Sequence, residues 1–277
     1  MPRHAPCGTP GPHPTFTGDA AALTGARVTV IWGDGKGDPA MNLVLLPGFM
    51  TDADLWSDVV ARLAEVGPIT HGDLARDAAI ADMARRVVAE APPRFGLVGF
   101  SMGGYVARAV ARLVPDRMEA LVLVATSSRA DTPAQARRKA AAVAHIRQQG
   151  YRGLSRSAIL QSVHPDRAGD GALLSRIRQM GDRLGGEVFL RQAGQARESD
   201  GDRLGAIGCP TLVVAAAQDA LRSLDEAREL RDGIPGATLR VIDGSGHMLP
   251  LEAPDALADA IVPWLRAQAS GASTIGS

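Results

Sequence analysis

The chain reads as an α/β protein, a mostly parallel central sheet flanked by helices, with an inserted helical cap. Three observations point there. Short apolar runs and amphipathic helical stretches alternate from residue 43 onward, which is how strands joined by helical crossovers look in sequence. The runs Leu43-Val44-Leu45-Leu46, Leu121-Val122-Leu123-Val124 and Leu212-Val213-Val214 are continuously apolar, as strands covered on both faces are. The rhythm breaks between 127 and 205, where no strand signal occurs and helical segments carrying Ile146, Leu154, Ile159, Leu160, Leu173, Leu174 and Ile177 follow one another. An insertion between two sheet strands accounts for that break.

Element by element, residues 1–22 hold Pro2, Pro6, Pro10, Pro12 and Pro14 and read as a flexible N-terminal tail. Arg27 to Trp32 alternate as a strand before the glycine-rich turn at 33–37, which precedes no helix and so is not a nucleotide loop. The core is expected over 23–126 and 206–270, split by a cap over 127–205, with a C-terminal tail at 271–277. Strands are expected at 43–46, Ile69 to Gly72, 95–100 and Ala120 to Ala125, and helices at 53–65, 78–90 and 102–113. After the insertion come a strand at Thr211 to Ala216, a helix at 225–232, a strand at Leu239 to Ile242 and a helix at 255–267.

The 277 residues are 45% hydrophobic, enough for one large core, and 30 basic residues balance 30 acidic ones. A net charge of zero argues against nucleic acid and against an anionic membrane surface as partners. Cys7 and Cys209 are poorly placed for a crosslink, the N-terminal residues lack an apolar signal core, and no stretch is long enough to span a membrane. A cytoplasmic protein is expected. The six histidines are scattered, so neither a metal nor an organic cofactor is expected, and monomer and homodimer both stay open. The first part of the insertion is basic, with Arg129, Arg137, Arg138, Lys139, Arg147, Arg152 and Arg156 against Asp131. A solvated helix face explains this, as does attraction of an anion toward a site mouth.

The chemistry concentrates at Gly99-Phe100-Ser101-Met102-Gly103-Gly104, where an apolar strand meets a helix. A serine on so sharp a turn is held in an unfavourable backbone region, and its neighbours two residues away must be small. Ser101 is therefore the candidate nucleophile, and the amide of Met102 at the helix start is a candidate oxyanion donor. A nucleophilic serine needs a base and an acid that orients the base. Asp219 follows one strand and His247 follows the last, both at strand carboxyl ends, giving the order Ser, Asp, His. Asp225 and Asp243 are rival acids; His4, His13, His71, His145 and His164 are worse placed as bases. Leu46-Pro47-Gly48-Phe49-Met50 supplies the second donor, assigned to the amide of Phe49.

With these motifs in order, the chain resembles the α/β-hydrolase superfamily over 27–268. The residues that carry the resemblance are Leu45-Leu46-Pro47-Gly48-Phe49 with Asp54-Leu55-Trp56, the run 99–104, Gln218-Asp219-Ala220-Leu221, and Ser245 through Pro254. Two departures stand out: Pro47 replaces a histidine found in many members, and Gly72-Asp73-Leu74-Ala75-Arg76-Asp77 replaces the usual Asp-x-x-Gly-x-Gly loop. The resemblance implies a serine hydrolase that cleaves a small carboxylic ester through an acyl-enzyme, without a cofactor. The same triad in this superfamily also serves carbon–carbon bond hydrolases and cofactor-free perhydrolases or haloperoxidases, and some members are non-catalytic receptors. Met50, Tyr105, Leu221, Met248 and Leu249 flank the motifs and are the expected pocket residues, with the insertion as their roof.

Overall fold

In the computed structural model, which describes residues 41–272, the apolar runs become strands of one sheet. The expected tail at 1–22 and the expected strand at 27–32 lie outside the described residues, as do residues 273–277 of the C-terminal tail expected at 271–277, whose first two residues instead continue the last helix. In chain order the elements are β1 (Leu43–Leu46), a 3-10 turn (Ala53–Trp56), α1 (Val60–Leu63), β2 (Ile69–His71), α2 (Ile80–Glu90), β3 (Phe95–Phe100), α3 (Met102–Leu113) and β4 (Met118–Val124). Then come α4 (Pro133–Gln149), α5 (Arg156–Ser162) and α6 (Gly171–Ala193), followed by β5 (Thr211–Ala216), α7 (Leu224–Gly233), β6 (Thr238–Ile242), α8 (Leu249–Glu252) and α9 (Pro254–Ala272).

The sheet order is β2-β1-β3-β4-β5-β6, and every pairing is parallel. Parallel neighbours cannot be joined by hairpins, so helices cross over and cover both faces. The strand register shows it: Leu43 and Leu45 of β1 and Val122 and Val124 of β4 enter one buried cluster with α9, whereas Val44, Leu46, Leu121 and Leu123 enter a second with α2, α3 and α7. The chain moves outward from β1 to β2 and then returns to β3 on the other side of β1. Ligands bind outside the carboxyl ends at such a switch point. Here those ends are the turn after Leu46 and the turn at Ser101.

One expected helix is broken. Instead of a continuous helix over 53–65, the chain forms a 3-10 turn and the separate α1. The carbonyl of Asp54, which in an α-helix would accept from the amide four residues on, accepts instead from Ser57 N at 3.2 Å and Arg176 Nη2 at 2.8 Å. Arg176 and Arg183 of α6 also grip the Asp54 carboxylate. A tertiary contact to the insertion has replaced a local hydrogen bond.

Between β4 and β5 the described chain contains helices and no strand, with α6 kinked at Gly185 (φ 76). Arg137, Arg138, Arg147, Arg152 and Arg156 are exposed on this segment. Its base is fixed by a buried ion cluster. Asp200 accepts from Arg108 through Nε at 3.0 Å and Nη2 at 2.9 Å and from Arg112 Nη1 at 2.9 Å, while Arg108 also reaches the carbonyls of Gly104 and Ser127. The Arg108 side chain is wholly buried, so removal of its partner strands a charge. Asp200→Ala is expected to cost about 3–5 kcal/mol in urea unfolding, whereas Arg266→Ala, which breaks an exposed pair with Glu65, is expected to cost under about 1 kcal/mol.

Candidate active site

Ser101 sits between β3 and α3 with φ 50 and ψ −110. That is backbone no helix or strand uses, and it persists only where surroundings over-determine it. The surroundings do so. Ser101 N donates to Val124 O at 2.9 Å, and Ser101 O accepts from Gly104 N at 3.0 Å and Thr126 Oγ1 at 2.7 Å. A Cβ on Gly103 would lie 2.5 Å from the Pro47 carbonyl oxygen, and one on Gly99 would lie 2.6 Å from that of Gly103. Strand, helix and the loop after β1 can therefore approach only because both positions are glycine.

His247 follows β6 in a loop whose glycine is just as constrained: a Cβ on Gly246 would meet the His164 amide nitrogen at 2.4 Å. Its Nε2 lies 2.9 Å from Ser101 Oγ and its Nδ1 lies 2.7 Å from Asp219 Oδ2. The Asp219 side chain is 1% exposed and that of His247 is 7%. The second carboxylate oxygen of Asp219 accepts from the amides of Leu221 at 2.7 Å and Arg222 at 2.9 Å, which fixes the acid from behind. With Nδ1–H donating to the carboxylate, Nε2 is left to accept from the serine hydroxyl. This chain of contacts can draw a proton from Ser101 and hold the imidazolium that results.

The rival acids lie elsewhere. Asp243 accepts from Gln218 Nε2 at 2.7 Å, and Asp225 accepts from Arg228 at 2.7 Å. Of the other histidines within the described residues, His71 lies on edge strand β2, where burial pushes its pKa down, His145 is in α4, and His164 Nδ1 accepts from the Asp166 amide.

The turn after β1 faces the serine. Met50 has φ 52, and its amide donates to Gln192 Oε1 of α6 at 2.9 Å. Gly48 N donates to Thr51 Oγ1 at 2.8 Å. Among the described residues the amides of Phe49 and Met102 donate to nothing. Two free N–H groups on the turns at the ends of β1 and β3 are the kind of donor an oxyanion requires.

The expected pocket residues go to different places. Met50 is buried with Val188, Phe189 and Ala193 of α6, and the Phe49 ring meets Phe189 edge-on at 5.4 Å. The insertion therefore roofs this turn. Leu221 is half-buried beside Asp219. Met248 and Leu249 are buried in the cluster that includes α9, and the Tyr105 hydroxyl donates to the Arg129 carbonyl at 3.0 Å. Within the described residues, no group of three or more His, Cys, Asp or Glu could hold a metal, and no helix is long and apolar enough to cross a membrane.

Glu252 is a residue whose role the sequence did not disclose. Its buried carboxylate accepts from the amides of Gly246 at 3.1 Å and Met248 at 3.1 Å, on either side of His247, and from that of His164 at 2.7 Å. One side chain thus sets the histidine loop and ties it to the insertion. Gln192 does the same for the turn after β1, since its Nε2 donates to Leu74 O at 3.1 Å while its oxygen holds Met50.

The chain is similar to known proteins of one fold family. The sequence model of the family described as alpha/beta hydrolase fold matches residues 67–254. The protein named "Putative carbamate hydrolase RutD" of Variovorax paradoxus is 32% identical over 232 residues, 74% of this chain and 84% of its own length. The pimeloyl-[acyl-carrier protein] methyl ester esterase of Klebsiella pneumoniae is 36% identical over 105 residues, 35% of this chain and 41% of its own length. Among solved structures, a thermophilic esterase from Thermogutta terrifontis superposes with a TM-score of 0.75 at 26% identity, covering 83% of this chain and 91% of that one.

The three amides on Glu252 generate an expectation. Glu252→Ala leaves them without an acceptor, and kcat on 4-nitrophenyl acetate should fall by about tenfold or more with KM within about threefold, because the histidine moves and the acyl pocket does not. Glu252→Gln, which keeps one carbonyl oxygen, should retain more of kcat than Glu252→Ala.

Proposed function

The chain belongs to the alpha/beta hydrolase fold family and is an enzyme of that family, and from this we propose that it cleaves a small carboxylic ester through an acyl-enzyme on Ser101. The observation that carries the reading is the unbroken path from Asp219 through His247 to Ser101, at 2.7 and 2.9 Å. His247 takes the Ser101 proton as Oγ attacks the ester carbonyl, then returns it to the departing alkoxide. Asp219 keeps the imidazole in the tautomer that can do this and stabilises the imidazolium. The amides of Phe49 and Met102 hold the oxyanion. Water then repeats the cycle with His247 again as base, releasing the acid and restoring the serine.

The acyl or alcohol group is assigned to the side of Ser101 where Phe49, Met50, Val188 and Phe189 cluster, with Leu221 on the side of the acid. An ester suits these groups better than an amide, since an alkoxide leaves more readily than an amine. The names of the relatives, a methyl ester esterase and a thermophilic esterase, support the same class. Scarce cysteine supports a reducing, cytoplasmic setting. Residues 127–205 are assigned as the cap that shapes the pocket.

A fluorophosphonate probe should label the folded protein on Ser101 and leave Ser101→Ala unlabelled. Ser101→Ala and His247→Ala are each expected to lower kcat/KM on aryl esters by about three orders of magnitude or more. Labelling elsewhere, or turnover surviving in Ser101→Ala, would falsify the assignment.

A further inference from the structure

The two ends of the helical insertion run side by side where they leave the core. Asp131 N donates to Arg197 O at 3.2 Å, and Asp200 N donates to Ser128 O at 3.0 Å. Three cationic side chains gather at this base. Arg197 has a side chain only 10% exposed and lies over the Tyr105 ring, its Cζ 5.3 Å from the centroid. Among the described residues its guanidinium makes no hydrogen bond, and its buried Nε has no acceptor. The carboxylate it approaches, Asp131, presents Oδ1 at 3.8 Å, beyond hydrogen-bond distance, and gives its other oxygen to Lys139.

Arg222 repeats the pattern. Its side chain is 11% exposed, Nη1 reaches the Leu221 carbonyl at 3.2 Å and stands 3.7 Å from Glu226, and its buried Nε also lacks an acceptor. Glu226 gives its other oxygen, Oε2, to the Ser223 amide at 2.7 Å, and its Oε1 stands beyond hydrogen-bond distance of Arg222. Burial lowers the pKa of Arg197, with repulsion from Arg222 adding to it, and burial lowers that of Lys139, with repulsion from Arg197 and Arg222 adding to it. A guanidinium presents five donors in a planar fork, and a buried one that leaves most of them unfilled is a costly state that an oxyanion relieves.

We propose that Arg197 and Arg222 form a binding site for a small oxyanion, the carboxylate or phosphate end of a small molecule, over Tyr105 at the base of the insertion. The place is close to the chemistry. Tyr105 lies four residues after Ser101 on α3, about 6 Å along the helix. The Arg222 amide is one of the two that hold Asp219. The anion is either an acidic group on the ester itself or a free ion that pins the insertion to the core.

Two arms separate these sources. In the first, thermal unfolding and calorimetric titration are run with inorganic phosphate at constant ionic strength on the full chain, and equally on Ser101→Ala, so that binding is read whether or not Ser101 is the nucleophile. In the second, kcat/KM is compared for 1-naphthyl butyrate and the 1-naphthyl hemiester of glutaric acid. The variants are Arg197→Gln and Arg197→Met, the second keeping an apolar stem over Tyr105 should the first fold poorly. A free-anion site gives a saturable rise in Tm with phosphate that both variants lose. A substrate site gives a preference for the hemiester of about tenfold or more that falls to about twofold in the variants, with the neutral ester unaffected. Absence of both effects in the natural sequence, or their persistence in the Arg197 variants, overturns the proposal.

Discussion

Everything at this site hangs on the backbone at Ser101, whose φ of 50 and ψ of −110 turn the chain from strand into helix within one residue. A residue so held does not relax into the adjoining helix because its carbonyl is pinned by Thr126 and Gly104 and its amide by Val124. The cost is met by parallel sheet geometry. β4 supplies the Val124 carbonyl, and the chain just past it supplies the Thr126 hydroxyl, because β4 runs alongside β3 in register to Phe100. The glycines at 99 and 103 are then required, since any side chain there meets backbone within 3 Å.

Around this fixed point, three loops are each held by specific hydrogen bonds. Glu252 brackets His247, Gln192 of the insertion holds the Met50 amide, and the amides after Asp219 hold that carboxylate. Each device satisfies a buried backbone or carboxylate group that would otherwise be costly. The same contacts link insertion to core, because Glu252 also accepts from His164 and Gln192 also donates to Leu74. Docking of the insertion and organisation of the site are thus one set of hydrogen bonds.

The sheet was legible in sequence because both of its faces are covered, which leaves continuous apolar runs such as Leu121-Val122-Leu123-Val124 with no competing interpretation. The meeting of Ser101, Asp219 and His247 was legible because each follows a strand at its carboxyl end, and Asp243 and Asp225 are drawn off by Gln218 and Arg228. The helix expected over 53–65 was not, since its break depends on Arg176, more than a hundred residues away. The role of Glu252 was not legible, because acceptance from the Gly246, Met248 and His164 amides is a property of backbone arrangement. The unfilled donors of Arg197 were hidden in the same way, as they exist only once the insertion has folded back on α3.

The central claim is that Ser101 carries the acyl group between the two halves of the reaction. Rapid quenching of the enzyme during turnover of 4-nitrophenyl acetate, followed by peptide mass analysis, tests it directly. The account predicts an acetyl group on the tryptic peptide Phe95 to Arg108, located on Ser101. Steady hydrolysis with no covalent species at any quench time, or an acetyl group on another residue, would contradict it.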